Sequence, residues 1–252
     1  MIKEDIRYGQ SCVFEGMTSI SAVINSSASD RRIKRVLYDG GREDKLARPL
    51  AFLRRRADGL GFEIVRTDAE TLSEMTVGSS HGGIVAECTG RTIPVITPDD
   101  VAEGGFYVYI EGVEDPYNFG YALRSLYAAG ADGVLMPERN WMSAAGVVCR
   151  SSAGASELMP LYTAPDDICG VFRGRGYKII CADTHDSVPV YDTDCGKPIL
   201  LVVGGEKRGI TKKLLDGADA IVHIEYGRQF GAALSAASAA AVLGFEIMRQ
   251  NR

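Results

Sequence analysis

From Phe106 to its end the chain alternates short apolar runs with helical stretches, and this alternation limits the possible folds more than any other feature. The runs FYVYIEGV, GVLM, MPLY, KIICAD, ILLVVG and AIVHI read as strands. Helices are expected over 119–129, 144–151, 166–173 and 212–215, and a long one at the C-terminus. Repeated β-α alternation implies a mostly parallel sheet with helices on both faces. Ligands of such sheets sit in loops beyond the C-terminal ends of the strands.

A smaller alternation precedes it. MTSISAVINSS, LARPLAFLRRRADGL and AETLSEM read as helices, and IKRVLYD, FEIVRTD and GIVAEC as strands. The expectation is a small α/β domain over 1–90, a linker over 91–105 where Thr, Pro, Asp and Gly replace apolar periodicity, and the larger domain over 106–252. Charge is distributed unevenly. The chain carries a formal charge of −5, yet residues 31–56 hold ten Lys/Arg against three Asp/Glu. A cationic segment on an acidic protein suits a polyanion, with Arg31, Arg32, Arg35, Arg54, Arg55 and Arg56 as candidate RNA contacts. The competing reading is that Arg54–Arg56 only solvate a helix face. No apolar run reaches the ~18 residues of a membrane span. The six cysteines are scattered without a C-x-x-C pair, which suits reduced thiols in a cytoplasm. Three histidines without paired spacing give no zinc site, so no metal is expected.

Three loops concentrate the chemistry. In Glu111–Arg124, Asp115-Pro116 turns the chain and Asn118 is expected to cap a helix. Arg124 then lies one turn beyond Gly120, so its stem can cross bare backbone toward Asn118. In ILLVVGGEKRGIT a strand runs into Gly204-Gly205, Glu206 and Gly209, where glycines admit a close ligand. It is no P-loop, since Ile210 stands where that motif needs Lys. In the third, AIVHI leads into a stretch where ten of the thirteen residues 232–244 are Gly, Ala or Ser. Such a bare helix surface admits another backbone.

In order and type these loops resemble the three signature motifs of the SpoU/TrmH family of RNA ribose methyltransferases. Asn118, Gly120 and Arg124 match the first motif, and Gly204, Glu206 and Gly209 the second. His81-Gly-Gly-Ile-Val-Ala86 resembles the ending of the family's N-terminal substrate-binding domain. The third motif departs: aligned on Leu234, Ala233 and Ser235 stand where the family has Ser and Asn. The resemblance implies an α/β methyltransferase domain of the trefoil-knotted SPOUT type, working as a homodimer. It implies S-adenosylmethionine held near Ala182, Gly204, Gly205, Glu206, Gly209, Ile224 and Leu234. The reacting ribose would meet Arg124, Asn118, Glu206 and Ser235, with Arg124 of one subunit turned toward the other's methyl donor. The implied activity is methyl transfer to a ribose 2′-hydroxyl of rRNA or tRNA. Two other readings stay open: an RNA-binding protein of the same fold with little catalysis, favoured by Ala233 and Ser235, and a methyltransferase acting on a base.

Overall fold

The computed structural model describes residues 7–8, 12–77, 81–138 and 144–252. In chain order the first elements are β1 (Arg7–Tyr8), β2 (Cys12–Glu15), α1 (Gly16–Asn25), β3 (Ile33–Asp39), α2 (Ala47–Leu60), β4 (Glu63–Thr67), α3 (Ala69–Met75), β5 (Ile84–Cys88) and β6 (Arg91–Thr92). Next come β7 (Phe106–Glu111), α4 (Pro116–Ala128), β8 (Gly133–Met136), α5 (Ala145–Ser151), α6 (Ala155–Leu158), β9 (Leu161–Thr163) and α7 (Ile168–Arg173). The last are β10 (Lys178–Ala182), β11 (Val188–Pro189), β12 (Ile199–Gly204), α8 (Lys212–Asp216), β13 (Ala220–His223) and α9 (Ala236–Gln250). Two compact units result: Met1–Thr92 with Asn140–Leu158, and Ile93–Arg139 with Met159–Arg252.

The first unit is built on a four-stranded sheet of order β2-β5-β3-β4. Only β3 and β4 run parallel; β5 is antiparallel to both β2 and β3. Leu37 of β3 and Val85 of β5 cluster with Leu72 of α3, and Phe14, Ile20 and Leu50 are also fully buried. The helices α5 and α6 belong to this unit, although their residues fall inside the sequence range expected for the second domain. Gly146 of α5 lies so close to β2 that a Cβ there would overlap the Val13 carbonyl. Arg31 corrects the sequence reading. It is 6% exposed, not a surface cation. Its Nε donates to Glu157 Oε2 at 3.1 Å and its Nη1 to the Thr89 carbonyl at 2.7 Å. A guanidinium held this way has no face left for RNA. The pairing itself follows from burial, since a charge removed from water must find a partner.

The second unit carries a seven-stranded sheet of order β11-β13-β10-β12-β7-β8-β9, every pairing parallel. In β12, Ile199, Leu200, Leu201, Val202 and Val203 are all at most 2% exposed. That explains a continuous apolar run: both faces are covered, and each such side chain contributes roughly 1.5–3 kcal/mol by leaving water. One face packs on Tyr107, Phe172 and Tyr177, whose rings meet edge to face at 5.2–5.9 Å. The boundary between the units falls after Thr92, inside the stretch 91–105 expected as a linker, and part of that stretch packs on the second unit. Ile96 and Val101 enter the same hydrophobic cluster, and Ile96 N–H bonds the Thr163 carbonyl at 3.1 Å.

Two helices of this unit bear on the site. The α4 N-cap is Asp115, not Asn118. Its carboxylate accepts from the Tyr117 and Asn118 amides at 3.1 and 3.4 Å, with Pro116 at the first helical position. Asn118 therefore lies inside the first turn, its side chain free for another partner. Helix α4 packs on α9, where a Cβ on Gly244 would meet Leu126 at 3.1 Å and Ala129 at 3.4 Å. The small residues of α9 thus serve a close contact within the chain.

Candidate active site

The strand order fixes where a ligand can sit. From β7 the chain moves outward through β8 to β9, then crosses to β10, β12 and β13 on the other side. The loops after β10, β12 and β13 are therefore left open at one edge of the sheet, the place where parallel sheets receive ligands. A cleft of about 250 Å³ lies there. Its walls include Ala182, Gly204, Gly205, Glu206, Gly209, Ile224 and Leu234, the seven positions that the resemblance nominated for cofactor contact. The floor is apolar, with Val222, Ala236 and Leu243 buried beneath it.

The loop after β12 is tied to the loop after β7 at four points. Glycine at 205 is required because a Cβ would overlap the Gly112 carbonyl. Sequence reasoning assigned that bareness to a ligand; the structure assigns it to the neighbouring loop. Glu206 Oε1 accepts from Asn118 Nδ2 at 2.8 Å. Glu111 Oε2 accepts from the Thr211 amide at 2.9 Å, and Lys207 Nζ donates to Glu114 Oε2 at 2.8 Å. The last pair is exposed and adds little energy. Together the four links make the two loops one body. Gly209 closes the turn at φ 62, in the left-handed region that a Cβ disfavours, and its amide bonds the Gly205 carbonyl at 3.0 Å.

Arg124 stands apart from Asn118 and Glu206. Its stem was expected to reach toward Asn118; instead Asn118 bonds Glu206. Arg124 lies exposed on the outer side of α4, without a hydrogen bond or ion pair to any described residue. It shares that side with Tyr117 and Tyr121, 44% and 48% exposed. Ser235 is the N-cap of α9, its Oγ accepting from the Ser238 amide at 3.2 Å. Leu234 N–H donates to the Tyr226 hydroxyl at 3.0 Å. Cleft residues missed from sequence include the polar side chains of Asp183, Thr184, His223 and Tyr226. Asp183 directly follows β10, so the strand-end rule could have found it. Burial pushes its carboxyl up, but hydrogen bonds from the His185 amide and ring outweigh this and hold it below the usual range. It therefore stays ionised at neutral pH.

Of the basic candidates in the first unit, Arg32, Arg54, Arg55 and Arg56 are exposed. Arg35 is engaged by Glu87 through two bonds of 2.8 Å. Arg54 lies 3.8 Å from Glu43, and Arg56 sits over the Phe52 ring at 5.7 Å. Among the described residues no helix is long and apolar enough to cross a membrane.

Comparison with known proteins adds an independent line. The sequence profile of the SpoU rRNA methylase family matches residues 105–245, more than half of the chain. The chain belongs to this family. Over its full length it is 27% identical to the whole 23S rRNA (guanosine-2'-O-)-methyltransferase RlmB of Shewanella oneidensis. An uncharacterized tRNA/rRNA methyltransferase of Mycobacterium avium is 31% identical over 78% of this chain, which spans 65% of that longer relative. Among solved structures, an RNA 2'-O ribose methyltransferase superposes with TM-score 0.77 at 21% identity, covering 96% of this chain and 89% of its own. The SpoU methyltransferase AviRb of Streptomyces viridochromogenes, in complex with AdoMet, gives TM-score 0.77 at 24% identity over 96% and 92%. These likenesses establish the SPOUT fold with an N-terminal domain for this SpoU chain.

Proposed function

We propose that this SpoU protein transfers a methyl group from S-adenosylmethionine to a ribose 2′-hydroxyl of rRNA or tRNA. The observation that carries this reading is the strand-end cleft, whose walls gather the second- and third-motif residues while Asn118 and Glu206 bond across its rim. The residues present fit the cofactor. Ala182, Val222, Leu234 and Leu243 suit an adenosine, and the carboxylates of Asp183 and Glu206 suit a cationic group. When bound, the sulfonium supplies a methyl group already activated for in-line attack. The chain's own residues then position. The four links between the loops hold the Glu206 carboxylate before any ligand arrives. Arg124 serves as a phosphate clamp and hydroxyl orienter; a guanidinium is a donor and not a proton acceptor, so a substrate phosphate or water takes the proton released by the hydroxyl.

A homodimer completes the reading. Arg124 faces outward beside Tyr117 and Tyr121, and α9 exposes Phe245 at 43%. Exposed aromatic residues on α4 and α9, together with an arginine that has no partner among the described residues, support delivery of Arg124 to a second copy's cleft across a closed two-fold interface. The trefoil path of the backbone through the loops after β10, β12 and β13 belongs to the same proposal. So does a substrate-binding role for the first unit, with Arg32 and Arg54–Arg56 on RNA phosphates. A cytoplasmic location suits six free cysteines.

The test is tritiated-methyl transfer to RNA from a strain lacking the gene, beside calorimetry with S-adenosylmethionine. Wild type is expected to bind the cofactor and label RNA; Arg124→Ala is expected to bind it and label none. A wild-type protein that binds cofactor and RNA yet labels no fraction overturns the proposal.

A further inference from the structure

A second cavity, of about 370 Å³, lies wholly within the first unit and has no part in the methyl-transfer reading. Its lining includes Glu15, Gly16, Thr18, His81, Arg150 and Ala153. We propose that it is a binding site for an RNA backbone phosphate, formed by the N-terminus of α1, the His81 imidazole and the Arg150 guanidinium.

Three features converge there. First, α1 is a ten-residue helix whose N-cap, Glu15, makes no capping bond, so amides of its first turn are left for a partner. Second, His81 is 8% exposed. Its Nδ1 accepts from the Gly83 amide at 3.2 Å, which puts the ring proton on Nε2. That Nε2–H has no partner among the described residues, and the ring lines the cavity. Open to the cavity, that N–H can donate to a ligand there. Third, Arg150 reaches the cavity while its Nη1 bonds Glu15 Oε2 at 2.7 Å. Glu15 is the one carboxylate among the described residues lining it, and it is already satisfied, since its other oxygen accepts from the Val77 amide at 3.1 Å. What remains for a ligand is donors: helix amides, the imidazole N–H and the rest of the guanidinium. Such a set matches the oxygens of a phosphate. Ala153 lines the same cavity at φ 52, a strained conformation for a residue with a Cβ.

The ligand class rests on the RNA-methyltransferase reading, while the donor set stands without it. The cavity takes Arg150 from a helix distant in sequence, so that one phosphate would bridge α1 and α5. Phosphate contacts of this kind fix register without reading sequence.

The test uses the full chain and the ring resonances of its three histidines, His81, His185 and His223, assigned by single substitution. Oligouridylate, adenosine monophosphate and inorganic phosphate are titrated separately. Oligouridylate is expected to shift the His81 resonances, with an affinity that falls as salt rises. His81→Ala and Arg150→Gln are each expected to weaken oligouridylate binding about tenfold or more, the loss typical of a bond to a charged group. S-adenosylmethionine binding, read by calorimetry, is expected to stay intact in both variants and so reports that they fold. If oligouridylate leaves His81 unmoved, the inference is overturned. If only inorganic phosphate or the mononucleotide moves it, the site takes free phosphate and the RNA assignment is overturned. Loss of cofactor binding by wild type with His81 still responding would overturn the methyltransferase reading and leave this one standing.

Discussion

Replacing Gly205 with alanine puts one methyl group where the Gly112 carbonyl already stands. The ideal Cβ position also comes within 3.0 Å of Gly112 Cα, so nothing flexible can give way. Relief requires the loop after β12 to move from the loop after β7, which stretches the Asn118–Glu206 and Glu111–Thr211 bonds. Overpacking of this kind costs about 1–3 kcal/mol. In a chain of this size that corresponds to a fall in melting temperature of about 2–4 °C for each kcal/mol. Because the moved loop walls the cleft, S-adenosylmethionine affinity should fall with it, by about tenfold if ~1.4 kcal/mol of the strain is relieved only by opening the loop. Two controls isolate the cause. Gly209→Ala meets no protein atom closer than Asp183 Oδ2 at 3.9 Å, so its stability should fall only by the cost of its left-handed φ, about 1 kcal/mol; because Gly209 walls the cleft, it controls the melting and not the binding. Gly227→Ala meets nothing within 4 Å at an ordinary φ and should be neutral. Melting curves and calorimetry on the three variants decide it. If Gly205→Ala melts and binds as wild type does, the loop-to-loop contact is not what demands glycine.

Arg31→Ala strands the Glu157 carboxylate, whose side chain is 3% exposed, and should destabilise the first unit by about 3–5 kcal/mol in urea titration; a loss under 1 kcal/mol would contradict the burial. Neutralising Arg54, Arg55 and Arg56 together should weaken RNA binding and lower its log–log salt slope by about 2, leaving cofactor affinity unchanged; an unchanged slope would reduce them to solvation of α2. Burial pushes the Cys149 and Cys181 thiols up to about 12. At pH 8 both stay protonated in the folded chain, so iodoacetamide should label them only after unfolding, as mass spectrometry of the peptides can show.

Where apolar patterning is continuous, the fold was legible: β7, β10 and β12 are bounded close to their expected limits because burial on both faces leaves an unbroken run. Strand β2 was missed because CVFE offers four residues and half-buried cysteine and valine before two buried positions. The α4 cap was misplaced by three residues although Asp115-Pro116 carried the signal, since proline favours the first helical position. Arg31 was misread because a charge count is blind to register: its partner Glu157 lies 126 residues away. The cleft walls followed from motif order, whereas the Asn118–Glu206 bond, spanning 88 residues, could not be read locally. His81 was noted only as part of a motif; that its Nε2 has no partner among the described residues is a property of packing.

The first unit takes its parts from two separate stretches of chain, the second arriving only at Asn140–Leu158. During synthesis this unit therefore cannot complete itself when residue 92 leaves the ribosome. It waits several seconds, at roughly 5–20 residues per second, for the helices that bring Glu157 to Arg31 and Gly146 to Val13. In that interval a nascent intermediate holds a buried-to-be arginine without its counter-charge and a sheet face without its cover. The same arrangement restrains evolution. A recombination event that exchanged residues 1–92 alone would deliver a half-built unit, so the two stretches must be inherited together or co-adapt.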